Sequence, residues 1–461
     1  MAPVIFLVEL SFHHALSTVF GSALVAHWIF KRLSKAYLAW ISRGGRRHIY
    51  TQELHRQFGD IVRVGPNEVS ISMASALHPL MGTSGLHKGP QWGARAATQA
   101  VPPLIAIGDP KEHLRRRKPW NRAFNVASLK DFEPLVANRT RQLVDLLGSK
   151  KGEVNLSKWF SWYTYDLMSD MANSDTFGHL PWTADYVRKI PSLGTKMKEM
   201  RAFCMARTAE RIKVGNHSTK DLFYYINNED GSGPTPPLAQ VVADGALAVV
   251  AGSDTTSSVI SNLVFSLLTH PEAYARLRAE VDAFYPPGED ALSTKHHADM
   301  PYLNAVINET MRLYPPETGG LPYLLPRSCA SNVHKSRSYL PEGTIVTVHT
   351  YTIHRDPRNF SPFPESFWPE RWILASSENP DVKLIHNAAA FFPFSFGPGN
   401  CAGKGLAMQE MRMVVTLMMQ RLDMRLADGF DPAAYEGKLL DYLILSRPPL
   451  PVIVMPRETS A

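Results

Sequence analysis

Cys401 stands in the segment Phe391-Phe-Pro-Phe-Ser-Phe-Gly-Pro-Gly-Asn-Cys-Ala-Gly-Lys-Gly-Leu-Ala407, after a glycine-rich turn and before a helical run over residues 406–422. A thiol so placed lies near a helix N-terminus. Unpaired backbone N–H groups and the positive end of the helix dipole favour the thiolate there, and the thiolate is the form that binds metal. Two plainer uses compete: a nucleophilic cysteine, which needs a histidine and an orienting Asn or Asp from elsewhere in the chain, and an inert loop thiol.

As a fifth ligand to haem iron, a cysteine thiolate donates electron density and favours O–O cleavage. In that use the neighbours have physical tasks. Phe394 would shield the sulfur from water, Gly397 would permit the tight turn, and Gly403 would let the backbone approach a porphyrin closely. The pattern Phe-x-x-Gly-x-x-x-Cys-x-Gly is expected by chance in about five of ten thousand chains of this composition, which favours the haem reading over the other two.

Three further groupings carry chemistry-bearing residues. Glu309 and Arg312, in Asn308-Glu-Thr-Met-Arg-Leu-Tyr-Pro-Pro316, are spaced i, i+3 and share a helical face. Such a pair is commonly a surface ion pair, and one Glu-x-x-Arg is expected in any chain this long. Ala251-Gly-Ser-Asp-Thr-Thr256 places hydroxyls and a carboxylate in mid-helix, where the hydroxyls can bond back to the preceding turn. His113-Leu-Arg-Arg-Arg117, followed by Lys118-Pro-Trp-Asn-Arg-Ala-Phe124, reads alone as a solvated basic face.

Taken together these motifs resemble the cytochrome P-450 family. Phe394 to Gly403 is similar to its haem-binding signature, and the resemblance extends over almost the whole chain. His354-Arg-Asp-Pro357 and Phe367-Trp-Pro-Glu-Arg-Trp372 are similar to membrane-bound fungal members. The resemblance implies a mostly α fold with a small β subdomain, holding haem b (iron protoporphyrin IX) between the long central helix and the cysteine loop. Cys401 would be the axial ligand of the iron. His113 and Arg117 would meet the haem propionates, while Arg115, Arg116 and Lys118 would help form a face for an acidic electron donor. Thr255 would hydrogen-bond dioxygen, Gly252 would leave room for it, and Asp254 would relay protons. Arg371 would join Glu309 and Arg312 in a structural triad, a carboxylate satisfied between two guanidinium groups.

The elements that must position these residues are legible as periodicity. Residues 238–268 are apolar on nearly all faces, which marks a helix through the centre of the protein. A second membrane span is the rival, but Asp244, Ser253 and Asp254 at mid-depth would be costly in lipid. The next helix begins after His270-Pro271 and runs to about Phe284, before Pro286-Pro287-Gly288. Asp60-Ile-Val-Arg-Val-Gly-Pro-Asn-Glu-Val-Ser-Ile-Ser72 reads as a hairpin turning at Gly65-Pro66-Asn67. Gly343-Thr-Ile-Val-Thr-Val-His349 is another strand, so any sheet shared with the hairpin must be closed over a long sequence separation.

Composition agrees. Of 461 residues, 44% are hydrophobic and 20% charged, near the globular average, and three cysteines form no disulfide framework. The net charge of +7 is spread along the chain with no basic stripe interleaved with aromatics, which excludes a nucleic-acid footprint. Residues 4–30 are mostly apolar, lack Lys and Arg, and are followed by Lys31, Arg32 and Lys35, the pattern of a single N-terminal anchor with a cytosolic C-terminal flank. Glu9, His13 and His14 interrupt it, so an interfacial helix or a signal peptide competes. The expected organisation is an anchor and linker over 1–38 and one catalytic domain over 39–461, on the cytosolic side of the endoplasmic reticulum membrane.

The activity implied is insertion of one atom of O2 into a hydrophobic small molecule. Electrons would come from NADPH through a flavoprotein reductase, since no Gly-rich dinucleotide fingerprint lies on a strand-to-helix turn. Pocket walls are expected from residues 84–107, Ala248, Gly252, and residues 318–322 and 443–445. The sequence departs from the family in four places, one of them an abbreviated proline-rich hinge after the anchor. Gly399 and Tyr323 stand where relatives often carry propionate-binding arginines, and the connection after Ala172 is short where a helix usually roofs the pocket. Those departures make a non-catalytic or impaired haem-binding protein one rival; a haem-thiolate isomerase is another, against which Asp254-Thr255 argues.

Overall fold

The computed structural model describes residues 35–95, 101–172, 206, 211, 220–320, 322–325, 340–377 and 382–458. The apolar stretch 4–30, the short connection after residue 172, Cys204 and Cys329 lie outside them. Among the described residues no helix is long and apolar enough to cross a membrane.

Helices α1 (Lys35–Arg43) and α2 (Arg47–Phe58) lead into strands β1 (Ile61–Gly65) and β2 (Glu68–Ile71). These form the expected antiparallel hairpin, Ile61 opposite Ile71. Strand β3 (His87–Lys88) follows, then α3 (Pro110–Ala123) and α4 (Val126–Gly148). Both helices start on side-chain caps: Asp109 accepts from the Glu112 N–H at 2.7 Å with Pro110 at the first position, and Asn125 accepts from the Ser128 N–H at 2.9 Å. Each cap stabilises its helix by about 1 kcal/mol. Strand β4 (Glu153–Asn155) precedes α5 (Leu156–Ala172).

The central helix, α6 (Leu238–Thr269), occupies the predicted place, and α7 (Pro271–Phe284) restarts at the predicted proline. α6 packs chiefly on α5. Several of its buried hydroxyls bond back along the helix: Ser257 donates to the Ser253 carbonyl at 2.8 Å and Ser261 to the Ser257 carbonyl at 2.6 Å, while Ser258 donates to the Leu445 carbonyl at 2.7 Å. A polar stripe can therefore run through the core with most of its hydroxyl donors paired, although the Asn262 side-chain N–H group finds no partner among the described residues. α8 (Pro301–Leu313) carries Glu309 and Arg312, and the short α9 (Glu370–Leu374) carries Arg371.

Strands β5 (Pro322–Leu324) and β6 (Ile345–Val348) complete a five-stranded sheet in the order β1-β2-β6-β5-β3. The long-range closure is the parallel pairing of β2 with β6, Val69 opposite Val346. α10 (Lys404–Arg421) follows the cysteine loop and packs on α4. Strands β7 (Leu422–Leu426) and β8 (Pro451–Pro456) pair with β4 in the order β4-β8-β7.

Glu309, Arg312 and Arg371 meet with no exposed side-chain surface. Arg312 grips the carboxylate through two nitrogens at 2.8 and 2.9 Å, and Arg371 reaches it at 3.1 Å. The Trp368 N–H and the Trp372 indole each add a bond at 3.0 Å. Arg312 also donates to the carbonyls of His354, Pro364 and Ser366, so the cluster ties α8 to the chain that leads into α9.

Candidate functional site

Cys401 and the middle of α6 face one cavity, whose apolar walls include Leu104, Ile105, Leu247, Ala248 and Val259. The cysteine loop is fixed by its own backbone. The Cys401 N–H donates to the Phe394 carbonyl at 2.9 Å, and Phe394 lines the cavity beside the thiol. Gly397 has φ +68°, and a Cβ there would stand 1.9 Å from the Met81 carbonyl oxygen, so both conformation and space demand glycine. Beside Gly403 nothing lies within 4 Å of a would-be Cβ, and the residue borders the cavity: its missing side chain is open space.

α10 begins at Lys404, with Gly403 at its cap. The N–H groups of Gly403 and Lys404 and the Arg117 guanidinium hold the Cys401 pKa down, but burial pushes it up by more, helped by the Glu317 charge. The helix end thus favours the thiolate, as expected, and is opposed by desolvation. A bound metal cation would tip that balance toward the thiolate, because a coordinated thiol loses its proton outright.

Three nitrogen-bearing side chains gather at this cavity: His113 and Arg117 from α3, and Lys88 from β3. Burial and the charges of Lys88 and Arg117 bring His113 down to about 4, and burial with Arg117 brings Lys88 down to about 8. Arg117 donates to the Asn400 carbonyl at 2.7 Å, and Lys88 to the Ile105 carbonyl at 2.9 Å. Lys88 was not foreseen, since no local pattern marks it. It lies opposite Tyr323 in the β3–β5 ladder. Tyr323 itself is 5% exposed and does not border the cavity among the described residues. Lys88, on the strand paired with Tyr323, borders the cavity where Tyr323 does not. Gly399 borders the cavity with open space beside it.

On α6, Thr255 and Thr256 face the cavity. The Thr255 hydroxyl donates to the Ala251 carbonyl at 2.7 Å, the back-bond anticipated for such a residue. Asp254 turns aside and accepts from the Tyr165 hydroxyl at 3.3 Å. Gly252 does not simply leave room for dioxygen: a Cβ there would lie 2.6 Å from the Met168 sulfur, so the notch is filled from α5.

Other expectations are corrected. Arg116 does not belong to the basic outer face; it is 3% exposed and paired with Asp244 at 2.7 Å. Its signal was the helical period, which puts His113, Arg116, Trp120 and Ala123 on one buried face. Among the described residues the downstream wall is formed by Pro316 and Glu317 rather than by 318–320 and 322. Thr318 is buried with its hydroxyl on Asp441 at 2.7 Å, Leu445 is in the core, and Leu443 is exposed.

One thiol, apolar walls, open space beside two glycines, two cations and a histidine fit a flat iron macrocycle bearing two carboxylates. The fold and this donor set define a haem-thiolate protein. The Cytochrome P450 family model matches residues 179–454. The chain is 32% identical to cytochrome P450 monooxygenase FCK2 of Fusarium pseudograminearum (strain CS3096), over 93% of its own length and 81% of that protein. It is 32% identical to cytochrome P450 67 of Uromyces fabae, over 95% and 85%. It is 26% identical to tryprostatin B 6-hydroxylase of Aspergillus fumigatus, over 93% and 79%. The chain belongs to the cytochrome P450 family and is a haem-dependent monooxygenase by class.

Proposed function

We propose that this monooxygenase inserts one atom of O2 into a hydrophobic small-molecule substrate, drawing two electrons from NADPH through a flavoprotein reductase. The observation that carries the reading is the placement of Cys401 and Thr255 on the walls of one apolar cavity. Haem bound there supplies the iron that activates oxygen.

The chain's own residues then divide the work. Cys401 holds the iron, with Phe394 keeping water from the sulfur. Arg117 and Lys88 would neutralise the two propionates, and His113 would donate a hydrogen bond to one of them. The Thr255 hydroxyl, which donates to the Ala251 carbonyl, would be available to donate into the cavity, and Asp254, beside it on α6, would pass protons inward from the Tyr165 side. Leu104, Ile105, Leu247 and Ala248 exclude water and hold an apolar substrate. Glu309, Arg312 and Arg371 border no part of the cavity and serve the fold.

Arg115 and Lys118 are exposed on α3 and form part of the face that receives the reductase. Residues 1–38 anchor the catalytic domain, 39–461, to the cytosolic side of the endoplasmic reticulum membrane; the apolar stretch before Lys31, Arg32 and Lys35 supports this. The test is NADPH consumption with purified reductase against a panel of terpenoids, fatty acids and aromatics, with isotopically labelled O2. Label in a product is expected. A protein that binds haem yet consumes no NADPH in response to any of the panel would be a haem carrier instead.

A further inference from the structure

The ion pair between Arg116 on α3 and Asp244 on α6 is 2.7 Å long, and both side chains are 2% exposed. It also reaches outward. The second oxygen of Asp244 accepts the Leu104 N–H at 2.9 Å, and the other terminal nitrogen of Arg116 donates to the Pro102 carbonyl at 2.7 Å. One pair therefore grips both ends of the piece 102–104. Leu104 and Ile105 face the cavity together with Trp120 and with Ala248, one turn along α6 from Asp244. A buried ion pair adds little net stability over apolar residues of the same volume, so what this one supplies is geometry.

We propose that Arg116 and Asp244 are positioning residues that set where the Leu104–Ile105 wall stands over the cavity, and so decide which hydrophobic substrates fit. The inference rests on reading that cavity as the haem and substrate site.

The decisive variant is the double replacement Arg116→Met/Asp244→Leu in the full chain, which leaves no lone buried charge. The probes are imidazole, too small to reach the wall, and 4-phenylimidazole, which extends to it, each titrated by the shift of the Soret band. The 4-phenylimidazole Kd is expected to change about fivefold or more while that of imidazole stays within about twofold, with the Soret band retained. Amide exchange over 101–107 is expected to speed up about tenfold, and that of α6 to hold. Asp244→Asn, which keeps an oxygen for Leu104, is the second arm and should change the affinity ratio by an intermediate amount. An unchanged ratio with unchanged exchange in either arm overturns the proposal. So does an equal loss of both ligands with loss of the Soret band, which marks a merely structural pair. Absence of a thiolate-type Soret band from the unmodified chain would overturn the haem reading instead, and the exchange rates over 101–107 still judge the pair.

Discussion

Arg117 donates to the Asn400 carbonyl at 2.7 Å and to the Asn400 side-chain oxygen at 3.0 Å, so α3 grips the residue immediately before the sulfur. The same guanidinium borders the cavity with His113 and Lys88. Arg117→Ala removes both a clamp on the loop and a cation, at a cost of about 1–2 kcal/mol after allowance for partial exposure. Haem should transfer to excess apomyoglobin roughly tenfold faster. Lys88→Met should add a smaller acceleration. Equal rates in all three proteins would remove these residues from haem retention.

Thr255 is predicted to govern coupling rather than binding. Thr255→Ala should leave the thiolate spectrum intact and NADPH oxidation within a few-fold, while product per NADPH falls by about 10²-fold and peroxide appears in its place. Thr255→Ser should recover most of the coupling. Untouched coupling in Thr255→Ala would show that the hydroxyl serves only its back-bond to Ala251.

Glu309 sits between two fully buried guanidinium groups. Glu309→Gln strands both positive charges and should cost about 3–5 kcal/mol, seen as loss of soluble folded protein or a large drop in Tm. A Tm within about 2 °C of the unmodified protein would mean that the cluster is not holding α8 to α9.

Acid should destabilise the fold well above the pH at which carboxylates titrate. His48 and His297 are lowered to about 4 and His354 to about 3, in each case chiefly by burial. The unfolded chain takes up these protons near pH 6.5 while the folded chain refuses them. Stability is therefore full above about 6.5 and falls as the pH drops toward 4, by up to about 1.4 kcal/mol per pH unit per histidine. Urea midpoints from pH 7.5 to 4.5 should fall steadily; a flat or rising series would contradict this.

What could be read from the chain was what repeats locally. The hairpin at Gly65-Pro66-Asn67, the apolar helix across 238–268 and its restart at Pro271 are set by neighbours within a few residues, and the structure has them in place. Cys401, Phe394 and Gly397 were legible because one short loop holds them. Lys88 was not, because its role comes from a two-residue strand paired across a long sequence gap with Tyr323. Arg116 was misplaced for a different reason: among seven basic residues on one helix, charge said surface while helical phase said interior, and Asp244, 128 positions away, decides between them. Gly252 shows the same limit, since only the packing of α5 on α6 puts Met168 into its notch.

The assignment of the iron ligand is tested most directly by the carbon monoxide difference spectrum of the reduced protein, with Cys401→Ala beside it. A thiolate-type Soret band is expected in the unmodified protein and should vanish in Cys401→Ala even when that variant still carries haem. Absence of the band from the unmodified protein, or its persistence in Cys401→Ala, would contradict ligation by Cys401.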